Sequence, residues 1–156
     1  MTERLYWEDI QPGLTVTTGP YGASAEEMLA FAREFNPQPF HADPDAAGGT
    51  FYGGVIASGW HTCALTMRAI VDGFLSRTAS LGSPGVDEAR WLRPVRPGDP
   101  LTLTMTCLEA KPSARRPEMG QCRFRYEVFN AEREPVMVME GPLLFARRPS
   151  PDGAGA

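Results

Sequence analysis

The chain has 156 residues, 42% of them hydrophobic and 22% charged, which suits one domain with a sizeable core and excludes two full domains or global disorder. With 15 Lys and Arg against 19 Asp and Glu, the formal charge is -4, and the basic footprint of a general nucleic-acid binder is missing. His41 and His61 are the only imidazoles, and the three cysteines (Cys63, Cys107, Cys122) form no CxxC pair, so neither a disulfide framework nor a metal site is expected. Met1 to Leu5 lacks the apolar stretch of a signal peptide, and no run reaches the length of a membrane span. The expectation is a cytoplasmic chain with no membrane partner and reduced thiols.

In chain order, Tyr6 to Ile10 and Leu14 to Thr18 flank the turn signal Gln11-Pro12-Gly13 and predict a short strand pair. Ser24 with Glu27 three residues on has the form of a capping box. Met28, Phe31, Ala32 and Phe35 then follow helical spacing, and Pro37 forces the helix to stop at Asn36. The segment from Pro37 to Val55 reads as a long loop with a helical turn at Pro44 to Ala47, and a loop this long is usually functional.

The strongest helix is predicted from Ser58 or Gly59 to about Leu75. Its apolar stripe is Trp60, Cys63, Ala64, Met67, Val71, Phe74 and Leu75, with His61, Thr62, Arg68 and Asp72 opposite. Ser76 to Gly85 ends it. Four strand candidates follow: Val86 to Leu92, Pro100 to Glu109, Gln121 to Phe129 and Val136 to Phe145. In the third, Cys122, Phe124, Tyr126 and Val128 alternate with charged residues, as in a strand with one buried face. An early helix and a late antiparallel meander predict an α+β domain over residues 1–148. Residues 149–156 read as a flexible tail.

The polar chemistry concentrates in the Pro-stiffened stretch Asn36-Pro37-Gln38-Pro39-Phe40-His41-Ala42-Asp43-Pro44. Pro37 and Pro39 fix φ at two points, so Asn36, Gln38 and His41 are pre-positioned. Further on, Gly53-Gly54-Val55-Ile56-Ala57-Ser58-Gly59-Trp60 leads into the long helix, whose first N–H groups lack intrahelical partners. Gly59 has no Cβ, so a ligand oxygen can approach its N–H. A histidine beside such a helix start suits carbonyl chemistry, the base moving a proton while the amide stabilises a developing oxyanion. Ser58 reads as the N-cap, Gln38 as a loop-positioning residue, and His61 as structural. Lys111, Arg115 and Arg116 read as a solvated loop.

These motifs resemble the MaoC-like dehydratases, relatives of the R-specific enoyl-CoA hydratases, over most of the chain. The resemblance rests on His41-Ala42-Asp43-Pro44, Gly53-Gly54, Ile56-Ala57-Ser58-Gly59-Trp60 and the turn Arg93-Pro94-Val95-Arg96-Pro97-Gly98-Asp99. It implies a hot-dog fold, with an antiparallel sheet wrapped around a long central helix. It also implies a homodimer or higher homo-oligomer with acyl-CoA sites near the subunit interface, and no cofactor beyond the CoA thioester substrate. The family loop pattern is Asp, any residue, Asn, Pro, any residue, His. Carried over, the histidine is His41, the family asparagine is Gln38, and the family aspartate is Asn36. The glycine that polarises the thioester carbonyl is Gly59, and Gly54 and Ser58 join Gln38 as candidate substrate-binding positions.

Asn36 departs from the pattern, since a neutral amide orients a water or substrate group but is no general base. A positioned base contributes about 10²–10⁴ in rate. Glu34 and Asp43 are the nearby carboxylates that could substitute. The sequence therefore supports an enoyl-CoA hydratase or 3-hydroxyacyl-CoA dehydratase weakened or altered by Asn36. The alternatives are a non-catalytic acyl-CoA-binding protein and, ranked lower, an acyl-CoA thioesterase.

Overall fold

A computed structural model describes residues 3–151. Six strands form one antiparallel sheet: β1 (Thr15–Tyr21), β2 (Ser80–Gly82), β3 (Glu88–Trp91), β4 (Leu101–Pro112), β5 (Met119–Phe129) and β6 (Pro135–Ala146). The order is β1-β4-β5-β6-β2, with β3 also pairing β6. The last three strands are the expected meander, and their alternation sets the register. Leu103 lies opposite Val128, and Tyr126 opposite Met139, so one face is apolar throughout. Cys122, Phe124, Tyr126 and Val128 are all buried, as their spacing predicts.

The helices are α1 (Ala25–Phe35), the single turns α2 (Pro39–Ala42) and α3 (Pro44–Ala47), and the long α4 (Gly59–Gly73). Helix α1 starts on the predicted capping box, with Ser24 Oγ accepting from the Glu27 N–H and Glu27 accepting from the Ser24 N–H. It stops at Asn36, as Pro37 requires. Ile70 and Phe74, at the end of α4, join Leu103, Met105, Phe124 and Val128 in one core.

Three expectations are corrected. Tyr6 to Ile10 is no strand: Trp7–Asp9 is a 3-10 turn, and Leu5 alone forms a bridge, to Thr78. The turn is held by tertiary contact, with the Trp7 indole donating to the Gln121 carbonyl at 3.2 Å. Second, β2 arises within the Ser/Gly stretch, where pairing with β6 supplies what its three residues lack in propensity. Third, the buried face of α4 is rotated from the predicted stripe, of which Phe74 alone is fully buried, and Arg68 and Asp72 of the predicted outer face are exposed as expected. His61, Thr62, Thr66, Ala69 and Ile70 are inside, while Trp60, Met67 and Val71 are exposed. Small residues on the inner face let the helix approach the sheet closely, and Thr66 bonds the Tyr21 hydroxyl on β1 at 3.0 Å.

The three cysteines are free thiols, and burial raises the pKa of each, Cys122 to about 12. Among the described residues, no helix is long and apolar enough to cross a membrane, and no group of three or more His, Cys, Asp or Glu side chains is placed to hold a metal ion. Of the predicted tail, residues 152–156 lie outside the described residues.

Candidate active site

Two consecutive proline-directed breaks build the site. After α1 ends at Asn36, Gln38 occupies the N-cap of α2 and Pro39 its first turn, where a missing N–H costs nothing. This one turn swings His41 inward, where it is buried. The loop returns to clasp it: the Ile56 N–H donates to the Phe40 carbonyl at 3.0 Å, and the Ala57 N–H to the Val95 carbonyl at 2.8 Å. Helix α4 starts two residues later.

His41 Nδ1 lies 2.8 Å from the Ile56 carbonyl oxygen. A carbonyl only accepts, so Nδ1 carries a proton, and the neutral tautomer that this bond selects has its lone pair on Nε2. Asn36 is fixed from both sides, its Nδ2 donating to Ser58 Oγ at 2.9 Å and its Oδ1 accepting from Gln38 Nε2 at 2.8 Å. Ser58 is the residue before α4, yet its side chain caps nothing, because its hydroxyl is taken by Asn36. The Gly59 N–H, the first of the helix and without an intrahelical partner, makes no hydrogen bond among the described residues.

Asn36, His41 and Gly59 line a single cleft of about 440 Å³. Gln38 and Ser58 are not themselves in the lining; each bonds Asn36, which is. Gly54 does not line it either: a side chain there would meet the Arg96 guanidinium. Arg96 itself ties that loop down by donating to the Tyr52 carbonyl at 2.6 Å.

The rest of the lining is largely apolar and aromatic, with Phe40, Tyr52, Ile56, Val95, Trp60 and Trp91 prominent. No carboxylate lines the cleft among the described residues. Asp43 is engaged elsewhere, its Oδ1 accepting from the Asp45 and Ala46 N–H groups at the start of α3. Glu34 is exposed on α1 and absent from the lining. Neither therefore stands in for the missing aspartate. Lys111 pairs with Glu109 on β4, and Arg115 and Arg116 are exposed in the hairpin beyond it.

Sequence reasoning missed Trp91 and misassigned Trp60. The signal for Trp60 was its place directly after Gly59. Trp91 reaches the cleft through the pairing of β3 with β6, which no local pattern announces. His61, read from sequence as structural, stays outside the cleft lining and stacks on Phe31 of α1, with ring centroids 4.4 Å apart.

The MaoC-like domain model matches residues 9–125, and the chain belongs to that family. The chain is 30% identical over 132 residues to the YdeM protein of Bacillus subtilis (strain 168), covering 84% of this chain and 90% of that one. It superimposes on a crystal structure of a MaoC-like dehydratase from Rhodospirillum rubrum with a TM-score of 0.85 and 37% identity, over 94% of this chain and 99% of that one. The R-hydratase PhaJ1 of Pseudomonas aeruginosa shares the fold at a TM-score of 0.75 and 21% identity, over 93% and 88% of the two chains. The architecture is the hot-dog fold of these proteins.

Proposed function

We propose that this member of the MaoC-like domain family is a hydro-lyase of acyl thioesters, interconverting a 2-enoyl-CoA with its 3-hydroxyacyl-CoA. The observation that carries this reading is the shared cleft of His41, whose Nε2 keeps its lone pair, and the unbonded Gly59 N–H. A thioester carbonyl held by that N–H gains stabilisation of the enolate oxygen as it develops, aided by the positive end of α4. His41 takes a proton from water as the water oxygen bonds to C3, and a proton is returned to C2. Asn36 orients the water with its remaining Nδ2 hydrogen and Oδ1 lone pair. No electron is gained or lost, so the reaction calls for no redox cofactor.

The same geometry supports a weakened form of this activity. With no carboxylate in the cleft, one imidazole does the work of two groups, and a positioned acid or base contributes about 10²–10⁴ in rate. The pocket around residue 36 nevertheless suits an anion. Gln38 Nε2 already donates to it, and the Ser58 hydroxyl would reverse its role and donate to a carboxylate. Crotonyl-CoA hydration tests this directly. Wild-type activity should vanish in His41→Ala, and Asn36→Asp should raise it by ~10² or more. Hydration by neither wild type nor Asn36→Asp, with saturable binding of enoyl-CoA, would favour the second reading, a non-catalytic acyl-CoA-binding protein. The observation favouring that reading is the Asn36 amide, already bonded on both sides. Release of free thiol without hydration would identify a thioesterase. We further propose a cytoplasmic homodimer, or a higher homo-oligomer built from it, formed through the exposed apolar stripe of α4.

A further inference from the structure

We infer that Trp91 determines which acyl groups the cleft accepts, and that the missing side chain at residue 59 is its counterpart on α4. This rests on the acyl-thioester reading above and assigns a specificity residue within the same site. A Cβ built on Gly59 would lie 2.3 Å from Trp91 Cε2, 2.6 Å from Nε1 and 2.7 Å from Cδ2. Those are the three nearest atoms, and all belong to one indole. The indole is also pinned, because its Nε1–H donates to the Gly59 carbonyl at 3.0 Å. Trp60 holds its other side, edge to face, with ring centroids 5.3 Å apart. The backbone beneath is set by β3 pairing, Trp91 lying opposite Met137. The indole is thus a fixed wall, packed on the residue whose N–H the proposed function assigns to the thioester carbonyl.

Both residues line the cleft with His41. A thioester carbonyl bonded to the Gly59 N–H therefore sits beside the indole, and its acyl chain leaves along that wall. Glycine at 59 was read from sequence as access for the ligand. The distances give it another cause: alanine would displace Trp91, whereas alanine keeps the N–H. The wall limits the cleft to compact acyl groups.

Calorimetric titration of the full-length protein with butyryl-CoA and octanoyl-CoA, which are saturated and do not hydrate, tests the assignment. Wild type should prefer butyryl-CoA. Trp91→Ala should move the octanoyl-to-butyryl affinity ratio by roughly tenfold or more toward octanoyl, the scale of a few methylenes admitted to an apolar pocket. Trp91→Phe, which keeps a ring but loses the hydrogen bond, should fall between and serves if Trp91→Ala does not fold. Gly59→Ala should weaken butyryl-CoA binding at least tenfold alone, yet only about twofold in the Trp91→Ala background, because coupled neighbours are not additive. An unchanged acyl ratio in both Trp91 variants, or an equal Gly59→Ala loss in both backgrounds, overturns the assignment while leaving the proposed function standing. Wild type that binds neither thioester overturns both.

Discussion

His61 is the residue whose environment most directly predicts a measurable response to pH. Its ring stacks on Phe31 within 5° of parallel, and its buried Nδ1 has no hydrogen-bond partner among the described residues. Burial lowers its pKa below the ordinary 6.5, and the charge of Glu27 only partly opposes this. The folded state therefore prefers the neutral ring, while the unfolded chain takes up its proton at the ordinary value. Stability contributed by the neutral ring is present above about 6.5 and falls as the pH drops from there toward the lower folded value. Thermal melts between pH 7.5 and 5.5 should show this loss in wild type. His61→Phe should remove most of it, since the carboxylates Glu8 and Glu27 have lowered pKa values and titrate only at more acid pH. The same substitution should stabilise the protein by about 1 kcal/mol at pH 7.5, because it removes an unsatisfied buried polar atom and keeps the stack. A Tm that tracks wild type at every pH would sink this account. His41 was legible in the sequence because prolines fixed its surroundings locally. The buried state of His61 was not, because only the docking of α1 on α4 creates it.

At the scale of elements, legibility followed how much of each element's structure was decided within it. The strands β4, β5 and β6 alternate over many residues, and α1 carries its own cap and stop, so both kinds were readable. The 3-10 turn at Trp7 and the three-residue β2 are held by distant partners and were not. Helix α4 was read in its extent but its buried face was misplaced over most of its length, for a reason that carries a prediction. Periodicity shows that an apolar stripe exists, not which surface covers it. The inner face packs Thr66, Ala69 and Ile70 on the sheet, with Ile70 2% exposed and Thr66 fully buried. Ile70→Ala should therefore cost about 2–5 kcal/mol in chemical denaturation, whereas Met67→Ala, on the exposed face, should cost the isolated protomer about 0.5 kcal/mol or less. Equal losses at the two positions would mean that the faces are not divided as the burial indicates.

For the whole molecule, the outer face of α4 is the consequence of that division. Trp60 is 65% exposed, Met67 43% and Val71 37%, and all three lie along one side of the helix that begins at the cleft. Met67 and Val71 are one turn apart, so their side chains adjoin. Large apolar residues grouped on an amphipathic face without a covering element mark an interaction surface. A second copy of the chain is the occupant we propose, since a self-complementary patch closes under two-fold symmetry without leaving apolar surface over. Trp60 belongs both to this stripe and to the cleft lining, so association and substrate binding share a residue. Met67→Glu combined with Val71→Glu places two like charges where the copies would meet. Neither side chain is buried in the protomer, so the fold should survive, as circular dichroism would check. Light scattering should give a wild-type mass of about twice the 17.1 kDa chain or a multiple of that, and a single-chain mass for the double variant. A single-chain mass for wild type would refute self-association, and an undiminished mass in the double variant would place the contact on another face.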